Sequence, residues 1–348
     1  MASNDLVLVS GASGFIAKHC IAELLKKGYR VRGTLRRPEV APEVVAAVSK
    51  VVDPAGRLEF ATLDLTADAG WDDALRGCRF LMHVASPFPL KVPKDRDELI
   101  APARDGAMRA LGAAARAGVE RTVLTSSVVA ILSGPRRGPQ EIFTERDWTD
   151  VDDPSVLPYP LSKALAERAA WDFAARDRSG MKLAVVCPSM VWGPALDHDV
   201  GSSAEVIKLF LRGAYPAVPR YGLSITDVRD VAAMHVAVME APNSAGERFI
   251  CSSESLWLKD VARILVEHFP EFRSKIPMRV LPDFIVRLAA IFDATLRTTV
   301  QELGEARVAS NEKARTMLGF RFRTAEEAVV AVARSLIELG LVAPPAQK

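Results

Sequence analysis

Apolar residues in the first two-thirds of the chain come in short continuous blocks, separated by longer stretches of helical spacing. Leu6-Val7-Leu8-Val9 is an apolar run of strand length, the pattern of a parallel strand buried on both faces. Over 15–27 the residues Ile16, Cys20 and Leu24 recur every four positions, which predicts a helix. Lys26 and Lys27 suit its last turn, and Gly28 predicts its end. Residues 29–35 read as a second strand, and 60–63, 80–85, 123–125 and 183–187 as further ones. Helical patterns fall between them near 72–77, 100–117 and 159–178. This alternation predicts an α/β protein with a doubly wound parallel sheet, a Rossmann fold.

The last third reads differently. Residues 204–212, 228–239, 258–269, 284–296 and 326–339 have helical spacing, and only 248–251 looks like a strand. The stretch 133–157 is rich in Gly, Pro and Asp and predicts a long surface loop, a kind of segment that is often functional. The tail 344–348 is expected to fray.

Charge narrows the choice of partner. Lys and Arg total 45 against 43 Asp and Glu, so no global field draws the chain to nucleic acid or to an anionic membrane. The most apolar late segment, around 284–292, is broken by Arg287 and bounded by Asp283 and Asp293, too short for a membrane span. The start, Met-Ala-Ser-Asn-Asp, lacks the basic region of a signal peptide. Cys20, Cys78, Cys187 and Cys251 lie far apart, each within or beside an apolar run, which suggests buried free thiols in a reducing compartment. We expect a cytoplasmic protein with no nucleic-acid or membrane partner. The five histidines show no metal-ligand spacing, and no metal is expected.

Two constellations carry chemistry. The first strand runs into Gly11-Ala12-Ser13-Gly14-Phe15-Ile16-Ala17 and then into a helix. Glycines there permit a tight turn and a close approach to a pyrophosphate, which the helix N-terminus attracts. The spacing is Gly-x-x-Gly-x-x-Ala, and its third small residue preserves close helix–strand packing. The second strand ends Gly33-Thr34-Leu35-Arg36-Arg37, without the acid that would hold a ribose 2′-hydroxyl. Two guanidinium groups stand there instead, which favours a 2′-phosphate and hence NADP (NADPH).

The second constellation is Tyr159-Pro160-Leu161-Ser162-Lys163. Tyr and Lys four residues apart share a helix face, and Pro160 requires a place in the first turn. A phenol is a poor acid–base group at neutral pH, and a nearby ammonium would bring its pKa down. Thr125-Ser126-Ser127 ends a predicted strand, where residues of a parallel sheet line the ligand crevice.

These segments together resemble the extended short-chain dehydrogenase/reductases, the NAD-dependent epimerase/dehydratase superfamily. More narrowly, the chain is similar to the group of dihydroflavonol reductases, cinnamoyl-CoA reductases and yeast-type NADPH-dependent aldehyde and ketone reductases. Leu63-Asp64-Leu65, Met82 to Pro87, Pro188 to Pro194 and Thr226 to Ala232 extend the likeness, which reaches to about Ser253. The resemblance implies catalytic Ser127, Tyr159 and Lys163: Ser127 binding the substrate carbonyl, Tyr159 giving the proton, Lys163 holding the nicotinamide ribose. It implies a cofactor site of Gly11, Ser13, Gly14, Phe15, Ile16, Arg36, Asp64, Leu65, Val84, Ala85, Ser86, Thr125, Pro188, Ser189, Val191 and Ser203, together with Tyr159 and Lys163. Phe88, Leu132 and Trp192 would form an apolar substrate wall. An NADP-binding domain of 1–190 plus about 222–253 would face a smaller, mostly helical C-terminal substrate-binding domain of about 191–221 plus 254–348.

Departures from the group refine the expectation. Leu132 stands where plant dihydroflavonol reductases often carry a polar residue, against a flavonoid. Ser155-Val156-Leu157-Pro158-Tyr159 replaces the Asn-Trp-Tyr-Cys-Tyr signature of cinnamoyl-CoA reductases, against a CoA thioester. Val128-Val129 replaces the Asp-Glu pair of sugar-nucleotide dehydratases. The resemblance therefore implies a carbonyl reductase, monomeric or homodimeric, interconverting a small-molecule aldehyde or ketone and its alcohol. Its alternatives are an NAD(P)-dependent epimerase or hydroxysteroid dehydrogenase on the same fold, and a non-catalytic NADP-sensing regulator.

Overall fold

The computed structural model describes residues 4–86, 97–134, 142–291 and 300–345. Strand β1 (Leu6–Val9) shows why a continuous apolar run marks the middle of a sheet. Successive side chains alternate in direction, so Val7 and Val9 enter one apolar cluster while Leu6 and Leu8 enter another. Helix α1 (Phe15–Lys26) follows and buries Cys20, Ile21, Leu24 and Leu25 against the first cluster; Gly28, at φ +92°, turns the chain out of it. The chain then lays down β2 (Arg30–Leu35), α2 (Ala41–Ser49), β3 (Leu58–Thr62) and α3 (Trp71–Leu75). It returns through β4 (Phe80–His83), α4 (Asp97–Arg116), β5 (Arg121–Thr125) and the short α5 (Val129–Leu132). After β6 (Ile142–Phe143) come α6 (Pro158–Arg176), β7 (Lys182–Pro188) and β8 (Met190–Trp192). Next are α7 (Glu205–Arg212), β9 (Gly222–Asp227), α8 (Val228–Glu240) and β10 (Arg248–Cys251).

Seven strands form the central sheet in the order β10-β7-β5-β4-β1-β2-β3, every neighbouring pair parallel. This is the doubly wound Rossmann-like sheet expected from the sequence. The chain works outward from β1 to β3, then crosses back to β4 on the other side of β1. Ligands bind outside the carboxyl ends of strands at such a reversal. One face of the sheet carries α1 and α8; the other carries α3, α4 and α6. All four cysteines are buried and unpaired, Cys20 and Cys251 in the first layer, Cys78 and Cys187 in the second. Burial raises each thiol above its ordinary pKa.

The remaining elements are β11 (Glu254–Trp257), α9 (Leu258–His268), α10 (Asp283–Ala289), β12 (Val308–Ala309), α11 (Glu312–Leu318) and α12 (Ala325–Glu338). A third apolar cluster, including Ile207, Ile225, Val261, Leu265, Val332 and Leu336, joins α7, α9 and α12 to a small sheet of order β11-β9-β8. The last third is thus less purely helical than its spacing predicts: β9 and β11 are strands. Residues of β9 alternate apolar with Ser and Thr, β11 opens on Glu254 and Ser255, and Ser224 pairs with Ser255 across the ladder at 2.9 Å. The predicted loop 133–157 contributes β6, which pairs in parallel with β12. Helices α2, α5 and α11 are additions to the predicted set. The helix predicted over 284–296 is Asp283–Ala289, and residues 292–299 lie outside the described residues. Among the described residues no helix is long and apolar enough to cross a membrane.

Candidate active site

The glycine turn is fixed by its neighbours on both sides. Gly11 N–H donates to Thr34 Oγ1 at 3.0 Å and Ala12 N–H to Thr34 O at 2.9 Å, tying the turn to the end of β2. Gly11 adopts φ +69°, and a Cβ there would stand 2.9 Å from Ala85 Cβ, so any other residue is both strained and blocked. Gly14 is the N-cap of α1, and no side chain caps that helix. The positive end of α1 is thereby left to whatever anion enters the space in front of it.

That space is a cleft of about 940 Å³ at the strand carboxyl ends. It gathers Gly11, Ser13, Gly14, Phe15 and Ile16 from the turn and Arg36 and Arg37 from the end of β2. Asp64 and Leu65 line it after β3, and Val84, Ala85 and Ser86 after β4. The Asp64 carboxyl lies below its usual range because Thr66 donates to it from both N–H and hydroxyl, with a smaller contribution from the Arg36 charge.

Thr125, Ser127, Tyr159 and Lys163 line the inner part of the same cleft. Helix α6 starts at Pro158, which needs no N–H partner there, and so Tyr159 and Lys163 face inward on its first two turns. Ser127 follows β5, hydrogen-bonds Tyr159, and lies 3.4 Å from Pro188 O. Lys163 is buried and its Nζ donates to Ser86 Oγ at 3.0 Å. Burial pushes the Tyr159 phenol up to about 12, against the Ser127 hydrogen bond that pulls it down, and lowers Lys163 to about 8. Desolvation thus outweighs the charge effect anticipated from Tyr-x-x-x-Lys spacing alone. Thr125 is held from behind: its Oγ1 pairs with His235 Nε2 at 2.7 Å, while His235 Nδ1 donates to Val231 O at 2.7 Å.

The far wall comes from the segment after β7. Pro188, Ser189, Val191 and Ser203 line the cleft, and the buried Ser189 Oγ has no hydrogen-bond partner among the described residues. The loop beyond β8 is strapped to α1. Buried Lys18 pairs with Asp197 and lies 3.8 Å from Asp199, while His19 Nε2 donates to Pro194 O and Lys50 Nζ to Leu196 O. Gly201, at φ +75°, lets this loop meet Phe15, whose ring a Cβ would approach to 2.8 Å.

The expected apolar wall is corrected in two places. Trp192 is fully buried in the third cluster, its indole N–H donating to Ser203 O at 2.8 Å, and does not line the cleft. Leu132 is buried in the second cluster, and its carbonyl accepts from Arg307. Both are large apolar side chains drawn into the nearest core. Phe88 lies outside the described residues. Val128, Val129, Met190 and Val206 line the cleft instead. The strap built on Lys18 was missed in sequence; its only signal is a lysine on the apolar face of α1.

Comparison with known proteins agrees with this geometry. The sequence profile of the NAD dependent epimerase/dehydratase family matches residues 7–251. Cinnamoyl-CoA reductase 1 of Petunia hybrida is 32% identical over 352 residues, covering 99% of this chain and 96% of its own. The crystal structure of yeast methylglyoxal/isovaleraldehyde reductase Gre2 complexed with NADPH superposes with a TM-score of 0.81 at 29% identity, covering 96% of this chain and 99% of that one. Gre2 of Candida albicans in complex with NADPH gives 0.80 at 27% identity, with coverage of 96% and 99%. From the parallel sheet, the glycine turn, the Ser, Tyr and Lys side chains around one cleft and these likenesses, the chain belongs to the NAD-dependent epimerase/dehydratase family, in its extended short-chain dehydrogenase/reductase branch related to dihydroflavonol reductases.

Proposed function

We propose that the protein is an NADPH-dependent carbonyl reductase of small aldehydes or ketones, with Tyr159 as proton donor. It is an NADP-dependent oxidoreductase acting on CH–OH and C=O groups; the substrate and the residue roles are our reading. The observation that carries it is the hydrogen-bonded Ser127–Tyr159 pair beside Lys163, in the same cleft as the uncapped start of α1. The cleft suits the cofactor on its own chemistry. It offers a free helix N-terminus for a pyrophosphate, Arg36 and Arg37 for a 2′-phosphate, and the orphaned Ser189 hydroxyl for a polar group deep inside. When bound, NADPH supplies the hydride.

The rest of the chemistry falls to this chain. Ser127 and Tyr159 both hydrogen-bond the carbonyl oxygen and stabilise the charge that grows on it. Tyr159, protonated at neutral pH because burial holds its phenol near 12, gives its proton to that oxygen. Lys163 keeps a positive charge beside the ribose. Val128 and Val129, directly after Ser127, line the cleft with no carboxylate in the place where a dehydratase needs one, which supports plain reduction. In this reading residues 1–190 with about 222–253 hold the cofactor, and about 191–221 with 254–348 shape the substrate side.

The test is NADPH depletion over isovaleraldehyde, methylglyoxal, aromatic aldehydes, ketoesters and a UDP-sugar. Turnover of simple aldehydes or ketones is expected. Conversion of the UDP-sugar alone, or NADPH binding without turnover of any carbonyl, would move the protein to the epimerase or regulator reading.

A further inference from the structure

Beneath the three side chains of the proposed centre lies a carboxylate that carbonyl reduction does not itself use. Glu167 stands on α6 one turn past Lys163 and two past Tyr159, and is 1% exposed. Ser126 Oγ donates to its Oε2 at 2.5 Å. Arg248, at the start of β10, donates from Nη2 to Oε2 at 2.9 Å and brings Nε within 2.7 Å of Oε1, close but poorly aligned for a hydrogen bond. Trp171 Nε1 donates to Oε1 at 3.2 Å, and Cys187 Sγ lies 3.8 Å from Oε2. A buried ion pair contributes little net stability over apolar side chains, because desolvation offsets the attraction. What this one does specify is geometry.

We propose that Glu167 is a positioning residue for the Ser127, Tyr159 and Lys163 centre: through Ser126 it clamps the end of β5 to α6, and it sets a negative charge one helical turn beneath the Lys163 ammonium. Ser126 adjoins Ser127, and so the clamp fixes the serine relative to the helix that carries Tyr159. The inference rests on the NADPH-reductase reading for the role of Lys163. Among the described residues, the polar groups facing Lys163 are Ser86 after β4, His83 in β4, Cys187 in β7, and Tyr159 and Glu167 on its own helix. His83 is lowered to about 4 by burial and by the Lys163 charge, burial raises the Cys187 thiol, and the phenol stands near 12. All three are neutral at pH 7. Glu167 is then the charge that holds the Lys163 ammonium up against the lowering by burial.

The experiment follows NADPH affinity by fluorescence between about pH 6 and pH 10, across the range where an ordinary and a lowered lysine both titrate. In the wild-type protein affinity should decline as Lys163 loses its proton near about 8. In Glu167→Gln the decline should move to lower pH by about one unit, the usual effect of losing an adjacent opposite charge. Glu167→Gln leaves Arg248 unpaired and is at risk of misfolding, so the pair Glu167→Gln with Arg248→Met removes both charges; it should show a displacement in the same direction, smaller because the cation leaves with the carboxylate, and little change in Tm. Ser126→Ala keeps the carboxylate. It should leave the NADPH profile in place while lowering kcat for isovaleraldehyde at unchanged KM for NADPH. A fall in Tm with an unmoved NADPH profile in both Glu167 variants would reduce Glu167 to a structural ion pair, and unchanged kcat in Ser126→Ala would remove the clamp. Failure of every carbonyl to turn over would sink the reductase reading alone, because the NADPH titrations still decide the role of Glu167. A wild-type protein that binds no NADPH would overturn both.

Discussion

Burial moves Tyr159 and Lys163 in opposite directions, the phenol up to about 12 and the ammonium down to about 8. At neutral pH the phenol therefore keeps the proton it must give, and the lysine keeps most of its charge. Tyr159→Phe removes one oxygen and leaves the ring in place. Its turnover should fall about 10²- to 10⁴-fold, the usual contribution of a general acid, with NADPH affinity by fluorescence nearly unchanged. Arg36→Ala removes one charge-assisted contact worth about 1.5–3 kcal/mol, and should weaken NADPH roughly 10- to 100-fold while leaving NADH alone; equal losses for both cofactors would contradict the 2′-phosphate assignment. Residues of these kinds were legible in the sequence because each sits in a short local pattern: strand, glycine turn and helix at Gly11, or Tyr159 and Lys163 on one helix face. Glu167 and Lys18 were not. Their partners Arg248 and Asp197 lie 81 and 179 residues away, and a charged residue on a helix reads as solvated until the fold buries it.

Among the elements, α1 has two duties. Its start faces the cleft, and its flank holds the loop from Pro194 to Gly201 through Lys18 and His19. Lys18→Met fills much the same volume and drops the charge, leaving Asp197 and Asp199 without their cation close to an anion site. We expect a loss of roughly 1.5–3 kcal/mol, as for other hydrogen bonds to charged groups, in urea denaturation, together with weaker NADPH binding. Unchanged affinity for NADPH would mean that the loop does not feel the strap. The elements of the central sheet were readable because parallel strands covered on both faces are largely apolar, as β1 is throughout and β4 is up to His83. Strands β9 and β11 escaped notice for the opposite reason: Ser224, Ser255 and Glu254 interrupt their apolar residues, and both serines are satisfied by each other and by the distant Arg307 carbonyl. Trp192 and Leu132 were misplaced because apolarity alone does not say whether a side chain faces a cleft or a core.

For the whole molecule, pH acts through three buried histidines on α1, β4 and α8. His19, His83 and His235 are each lowered to about 4, burial being the main cause. A group whose folded pKa is depressed takes up protons first in the unfolded state, so stability is full above the ordinary histidine value near 6.5 and drains as pH falls toward 4. The urea midpoint should therefore decline steadily across that window, and a flat midpoint would show that these rings are hydrated. The overall division was legible only in outline: the alternating first two-thirds announced the sheet, whereas the last third draws its order from the third apolar cluster, whose buried members are scattered from Trp192 to Val342. The four cysteines give this arrangement a built-in clock. Cys20 and Cys251 lie on one face of the sheet and Cys78 and Cys187 on the other, all shielded. A thiol reagent reacts with the thiolate alone, and so each cysteine stays silent until its own layer opens. The order in which the four are labelled under mild denaturant would time the parting of the two halves of the sandwich, with no residue changed.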